Sequence, residues 1–322
     1  MAEQELFKKI NSAHNILLIS HRRPDADTLG SATALAFLIR DHFKKAVRVF
    51  CVDSIPENCK FLGVEQFLMK KTECDFNNFD LIIAVDCGDE KQTGVPELFA
   101  SLAISNIRMK EYSHQSVNVD HHQTNSGYAD LNIIDANASS TSEIIYKLLK
   151  ENNLPITKEI STALLAGIVS DTNNFTNAAT AGKTMTAAGD LLQRQARFKQ
   201  VSTSLNRQLD IKTIKLWGRT LSELHYNEEY GVLGAIVPRS SDLDPAVASG
   251  LSDFLMAQYR ANIVAVIVEE PGNQLKVSLR TTADDIDVSV AAKHFGGGGH
   301  KKAAGFSMDG RLQWAEEGWE IV

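Results

Sequence analysis

Cysteine is scarce in these 322 residues. There are four, Cys51, Cys59, Cys74 and Cys87, and no two form a CxxC pair. This argues against a disulfide framework and for a reduced compartment. Long apolar runs are missing as well, since no stretch approaches the ~18 residues that a membrane span needs. The start, Met1 to Lys9, mixes charges of both signs and lacks the apolar core of a signal peptide. Cytoplasm, away from any membrane, is the expected location. Positive charge is not in surplus either, because 33 Lys and Arg against 40 Asp and Glu leave a formal net charge of −7. This argues against a broad basic face that coats long nucleic acid. What remains, 43% hydrophobic and 23% charged residues, is an ordinary globular composition, and the length leads us to expect about two domains.

The first half alternates strand-like and helix-like stretches. Ile16–Ser20, Val47–Val52, Leu81–Val85 and Val117–Asp120 read as short buried strands, and Ala32–Ile39 carries the apolar stripe of a helix. Thr141 offers an N-cap for a helix running to about Lys150. The expected class is α/β, with a doubly wound, mostly parallel sheet over residues 1–190. A polar helical connector over 191–228 leads to a smaller α/β domain over 229–322. In that domain Gly231–Val237, Ile263–Glu269 and Lys276–Leu279 read as strands, Pro271-Gly272-Asn273 as a turn and Val288–Phe295 as a helix. A glycine run, Gly296–Gly299, follows.

Acids and imidazoles sit where apolar runs end. His21-Arg22-Arg23-Pro24-Asp25-Ala26-Asp27 follows the first strand, and Asp86 follows Leu81–Val85. Asp120-His121-His122 follows Val117–Val119, and Asp171 follows the run Leu164 to Ser170. In open parallel sheets ligands bind at the carboxyl ends of the strands. Carboxylates with a few imidazoles and no thiolate suit two hard divalent ions, Mn²⁺ first and Mg²⁺ second. Asp25 and Asp27, one residue apart, can face different ions, and Asp86 is the candidate to bridge them. His121 and Asp171 then complete the second ion. Asp120 can orient an imidazole, and His122 can reach a substrate phosphate. Basic residues gather late, at Lys276, Arg280, Lys293, Lys301 and Lys302, with His294 and His300 nearby, as a lip for an anionic ligand.

These four segments resemble motifs I to IV of the DHH phosphoesterase family. Phe295-Gly296-Gly297-Gly298-Gly299-His300, followed by Ala303-Ala304-Gly305-Phe306, is similar to the glycine-rich signature of its DHH-associated substrate-binding domain. The size and the pairing of domains resemble the bacterial nano-RNase and pAp-phosphatase branch. The resemblance implies an enzyme in which His21, Asp25 and Asp86 hold one Mn²⁺ and Asp27, Asp86, His121 and Asp171 the other. It implies that His122, supported by Asp120, contacts the scissile phosphate. Arg280 with Gly297, Gly298, Gly299 and His300 would hold the rest of the substrate, in a cleft between the domains. The implied substrates are very short single-stranded RNA or pAp, and a homodimer follows by analogy. Alternatives on the same site are a cyclic-dinucleotide phosphodiesterase, a RecJ-like exonuclease and a nucleotide-sensing module. Two positions depart from the family pattern: Asn173 and Ala26 stand where glycine is common. Asn tolerates positive φ, so the turn at 173 is expected to survive.

Overall fold

The computed structural model describes residues 2–69, 75–100, 115–177, 179–205, 211–237, 245–315 and 318–322. Cys74 and residues 206–210 of the expected connector lie outside them. The chain divides into two compact units, Met1–Arg207 and Gln208–Val322.

In the first unit, β1 (Asn15–Ile19), β2 (Ala46–Phe50), β3 (Leu81–Val85), β4 (Gln115–Asp120) and β5 (Leu131–Ile134) form one sheet in the order β2-β1-β3-β4-β5. Every pairing in it is parallel. β1 and β3 are near-continuous aliphatic runs because both faces of the sheet are buried. Ile16, Leu18, Ile83 and Val85 enter the larger core, and Leu17, Ile19, Ile82 and Ala84 enter a second cluster on the opposite face. The larger core is closed by α1 (Ala2–Ser12), α2 (Ala26–Asp41), α3 (Thr141–Glu151) and α4 (Lys158–Asp171). α5 (Gly182–Gln193) and α6 (Phe198–Leu205) add to it. The second face is covered by Phe50, Phe79 and Phe99. Each fully buried Leu or Ile contributes roughly 1.5–3 kcal/mol.

Strand order reverses direction between β1 and β3. That reversal leaves a crevice at their carboxyl ends.

One local expectation needs correction. The cap of α3 is Ser140, whose hydroxyl accepts the Glu143 N–H at 3.1 Å, and Thr141 is the first helical residue. The apolar run before Asp171 is the end of helix α4.

In the second unit α7 (Ile211–Ser222) precedes a six-stranded sheet of order β10-β11-β9-β8-β7-β6. Its strands are β6 (His225–Asn227), β7 (Val232–Val237), β8 (Ile263–Glu270), β9 (Gln274–Arg280), β10 (Gly298–His300) and β11 (Ala303–Asp309). Only the β7–β8 pair is parallel. Leu251 and Leu255 of α8 (Pro245–Gln258) pack with one face, and Val288 and Ala292 of α9 (Val288–His294) with the other. Strands β12 (Leu312–Ala315) and β13 (Gly318–Ile321) pair as a separate hairpin.

Candidate metal centre

The site begins where β1 ends. Asp25 is the N-cap of α2, and its carboxylate accepts the N–H groups of Asp27 at 2.9 Å and Thr28 at 3.2 Å. This cap starts the helix beside the sheet edge and fixes one acid there. Four residues earlier, His21 Nδ1 lies 2.7 Å from the Arg22 carbonyl, which assigns it the ring proton. Nε2 is then left facing Asp25 Oδ1 at 3.6 Å and Asp86 Oδ2 at 3.4 Å. A ring lone pair aimed at two carboxylates is repulsive unless a cation or a proton lies between them. That is how a metal ligand is held.

Asp86 follows β3 directly and takes a left-handed backbone, φ 60°, which is uncommon outside glycine. It is 2% exposed and accepts the Thr141 hydroxyl at 3.0 Å. Its oxygens also face His21 and, at 3.6 Å, His121 Nε2. Asp27 is buried on the first turn of α2. Its oxygens accept the Thr141 N–H at 2.7 Å and the Ser142 N–H at 2.9 Å, so the positive end of α3 steadies it. Asp171, at the last turn of α4, sits 3.3 Å from His121 Nε2. A β-carbon on Gly167 would collide with Asp27 and Ser142, so only glycine lets α4 come this close.

Three overlapping sets of atoms among the described residues could each hold an ion. They are His21, Asp25 and Asp86; Asp27, His121 and Asp171; and Asp86, His121 and His122. All six expected ligands therefore converge, with Asp86 common to two sets. Like charge at this density shifts proton affinities. Burial, then the carboxylates of Asp27, Asp86 and Asp25, push the Asp171 carboxyl up to about 10. Burial and then Asp86 raise Asp27 well above the usual range. Burial opposes charge on His21, but Asp25 and Asp86 outweigh it and push the ring up to about 11. Without a cation the cluster holds protons. The donor set fits hard divalent ions.

His122 is oriented from behind. Its Nδ1 lies 2.7 Å from Asp120 Oδ1, and the other Asp120 oxygen accepts the Asn125 amide at 2.6 Å. Asp120 is fully buried. Burial opposes its charge, but His122 and Asn125 hold its pKa below the usual carboxylate range. The Asp120 hydrogen bond in turn raises the His122 pKa. With Nδ1 bonded to Asp120, Nε2 of the half-exposed ring carries a proton to donate only when the imidazole is charged, the form that the Asp120 carboxylate favours. The imidazole and the acids border one cleft of about 580 Å³ with Arg22, Arg23 and Lys91.

Sequence reasoning missed Ser142, Asn125 and Gly167. A glycine inside a helical run was the one available signal. Asn173 does take positive φ, 48°, as do Asn174 at 58° and Phe175 at 65°.

The second unit is a separate matter. Arg280 ends β9, where its Nε donates to Asp253 at 2.8 Å and an Nη1 proton goes to the Leu279 carbonyl at 3.1 Å. Only the first half of the glycine run is a loop. Gly298–His300 is the exposed edge strand β10, and a β-carbon on Gly297 would strike the Gly305 carbonyl and Phe306. Lys302 donates to the Thr282 and Ala283 carbonyls and lies 3.2 Å from Asp284, so it ties down a loop. Lys301 and His300 are exposed.

Comparison with known proteins agrees with this geometry. Residues 15–168 match the model of the DHH family, N-terminal domain, and residues 229–317 match the DHHA1 domain. A probable bifunctional oligoribonuclease and PAP phosphatase NrnA of Streptococcus mutans is 27% identical over 313 residues, covering 94% of this chain and 93% of its own. The bifunctional oligoribonuclease and PAP phosphatase NrnA of Thermus thermophilus is 26% identical over 298 residues, covering 92% of this chain and 84% of its own. A crystal structure of an exopolyphosphatase-related protein from Bacteroides fragilis shares the fold. It has a TM-score of 0.79 at 19% identity and covers 95% of this chain and 90% of its own. With an N-terminal DHH domain, a C-terminal DHHA1 domain and the acids and imidazoles of the first gathered at one sheet edge, the chain belongs to the DHH phosphoesterase family of hydrolases.

Proposed function

We propose that this hydrolase cleaves phosphate esters in very short oligoribonucleotides and in pAp, using two divalent ions, Mn²⁺ in preference to Mg²⁺. The observation that carries the reading is that Asp86 joins His21 and Asp25 in one ion set and His121 in a second, while His121 also joins Asp27 and Asp171. His21, Asp25 and Asp86 would hold one ion, and Asp27, Asp86, His121 and Asp171 the other. Two such ions would activate water and polarise the phosphoryl oxygens. The chain's own residues do the rest. Asp120 fixes the His122 ring so that Nε2 can donate to a phosphate oxygen, and Asn125 keeps Asp120 from turning. Asp27, anchored on the α3 N–H groups, limits how far the carboxylate cage can relax. Arg280 and the Gly297–His300 edge of the second unit are assigned to the part of the substrate that does not react. The names of the S. mutans and T. thermophilus relatives support the substrate class.

A panel of substrates tests this. With Mn²⁺ the purified protein should hydrolyse pAp and single-stranded RNAs of roughly two to four nucleotides, with kcat/KM falling for longer strands. Strand-binding grooves need extended basic and aromatic tracks, and the net charge of −7 speaks against one here. Efficiency that keeps rising with length would favour a processive exonuclease. Turnover confined to cyclic dinucleotides would replace the substrate assignment.

A further inference from the structure

The cleft beside the carboxylates carries cations for which the metal centre has no use. Arg22, Arg23 and Lys91 line it together with His21, Asp86 and Asp171. All three are exposed, and among the described residues none has an ion pair or a side-chain hydrogen bond. Free guanidinium groups so near a carboxylate cluster would fold onto it if their loops were slack.

Their backbone is instead tied down. The Arg22 N–H donates to the Gln92 carbonyl at 2.7 Å, and the Gln92 side chain accepts the Gly88 N–H at 2.8 Å. The Arg23 N–H donates to Asp53 at 2.9 Å, and Arg23 is held at φ 53°, in the left-handed region. Such a conformation in a residue with a β-carbon persists only where the surroundings enforce it. Asp89, the lining acid outside the candidate ligand set, accepts the Gln92 N–H at 2.9 Å. Once ions occupy the cluster, its negative charge is largely cancelled, and the rim's positive charge is what an incoming anion meets. A guanidinium fork matches the oxygens of a phosphate.

We propose that Arg22, Arg23 and Lys91 form an anion subsite on the first unit that binds a terminal phosphate other than the one being cleaved. The inference rests on the reading of the protein as a short-nucleotide hydrolase and adds to it a preference for substrates that carry a second phosphate.

The test compares a 5′-phosphorylated diribonucleotide with its unphosphorylated counterpart, both with the Mn²⁺-loaded protein. The wild type should favour the phosphorylated one by about tenfold or more in kcat/KM, mainly through KM. The double variant Arg22→Gln/Arg23→Gln should lose that preference, and Arg22→Lys/Arg23→Lys, which keeps the charge but not the fork, should keep only part of it. Turnover of the unphosphorylated dinucleotide and metal content, measured on the same samples, report folding. An undiminished preference in the Gln variant would overturn the subsite. So would an equal loss on both substrates that vanishes at high salt, because that is long-range steering. If the wild type cleaves neither dinucleotide, the functional reading fails, and calorimetry then decides the subsite. Adenosine 3′,5′-bisphosphate should bind about tenfold tighter than AMP, an advantage the Gln variant lacks; equal affinities in the wild type would overturn it.

Discussion

Removing metal from the first unit should make its stability fall as pH rises. The Asp171 carboxyl is raised from an ordinary 3.8 to about 10, and the His21 ring from 6.5 to about 11. Both shifts are upward, so the metal-free folded chain holds protons that the unfolded chain releases. The stability they carry is complete below the unfolded values and is lost as pH climbs toward the folded ones. Between pH 7 and 9 each held proton gives a slope of about 1.4 kcal/mol per pH unit. Counting these two groups alone, one proton sets the lower figure, because they share one cluster, and two set the upper. In a unit of this size 1 kcal/mol moves the melting temperature by about 2–4 °C, which puts the fall at roughly 3–11 °C per pH unit. Ions take the place of the protons. The Mn²⁺-loaded protein should therefore melt at a temperature far less sensitive to pH. Titrating Mn²⁺ near pH 7.5 should release about one to two protons, counted by calorimetry in two buffers of different ionisation enthalpy. A metal-free melting temperature that stays flat or rises from pH 7 to 9, or metal uptake without proton release, would refute the reasoning.

Three substitutions separate the parts of the site. Gly167→Ala pushes a methyl group into Asp27 and Ser142 and should cost about 1–3 kcal/mol and lower metal content; unchanged melting and unchanged metal would disprove the close approach. Asp86→Ala should abolish hydrolysis and weaken both ions, so elemental analysis finding two bound ions per chain contradicts a bridging role. Asp120→Asn keeps the shape but loses the carboxylate that orients His122, and kcat should drop about 10²–10⁴-fold with the ions retained. Loss of the ions instead would make Asp120 a ligand.

The ends of β1, β3 and β4 are legible in the sequence because a buried parallel strand is a compact aliphatic run and the polar residue after it has to be at the sheet edge. Helix α4 is harder to read. Residues Ile160 to Val169 are buried without a break, so no polar face marks a helical period, and Asp171 looks like the end of another strand. What steadies Asp27 is two backbone N–H groups, and a backbone donor leaves no trace in residue identity. Asn125 is invisible for a different reason. It reaches Asp120 from a turn held by backbone bonds from Asn125 to His122 and from Ser126 to Gly88, which residue identity does not announce. The glycine run is misleading in the opposite sense, since its second half forms strand β10, and the missing β-carbon of Gly297, just before that strand, allows the close approach to Gly305 and Phe306. The late basic cluster is thinner than its composition suggests, because Lys302 is spent on the carbonyls of residues 282 and 283.

The parallel sheet also sets when metal can arrive. Its strand β1 is flanked by β2 and β3, and the candidate ligands run from His21 on the first loop to Asp171 at the end of α4. A chain emerging from its N-terminus exposes Asp25 and Asp86 early, yet the set of Asp27, His121 and Asp171 stays open until α4 has packed on α2. In a zinc finger the ion organises the fold. Here the last candidate ligand to be synthesised would close the cage, so metal capture would act as a receipt for a finished unit, and chains truncated before α4 would be left with an incomplete second site.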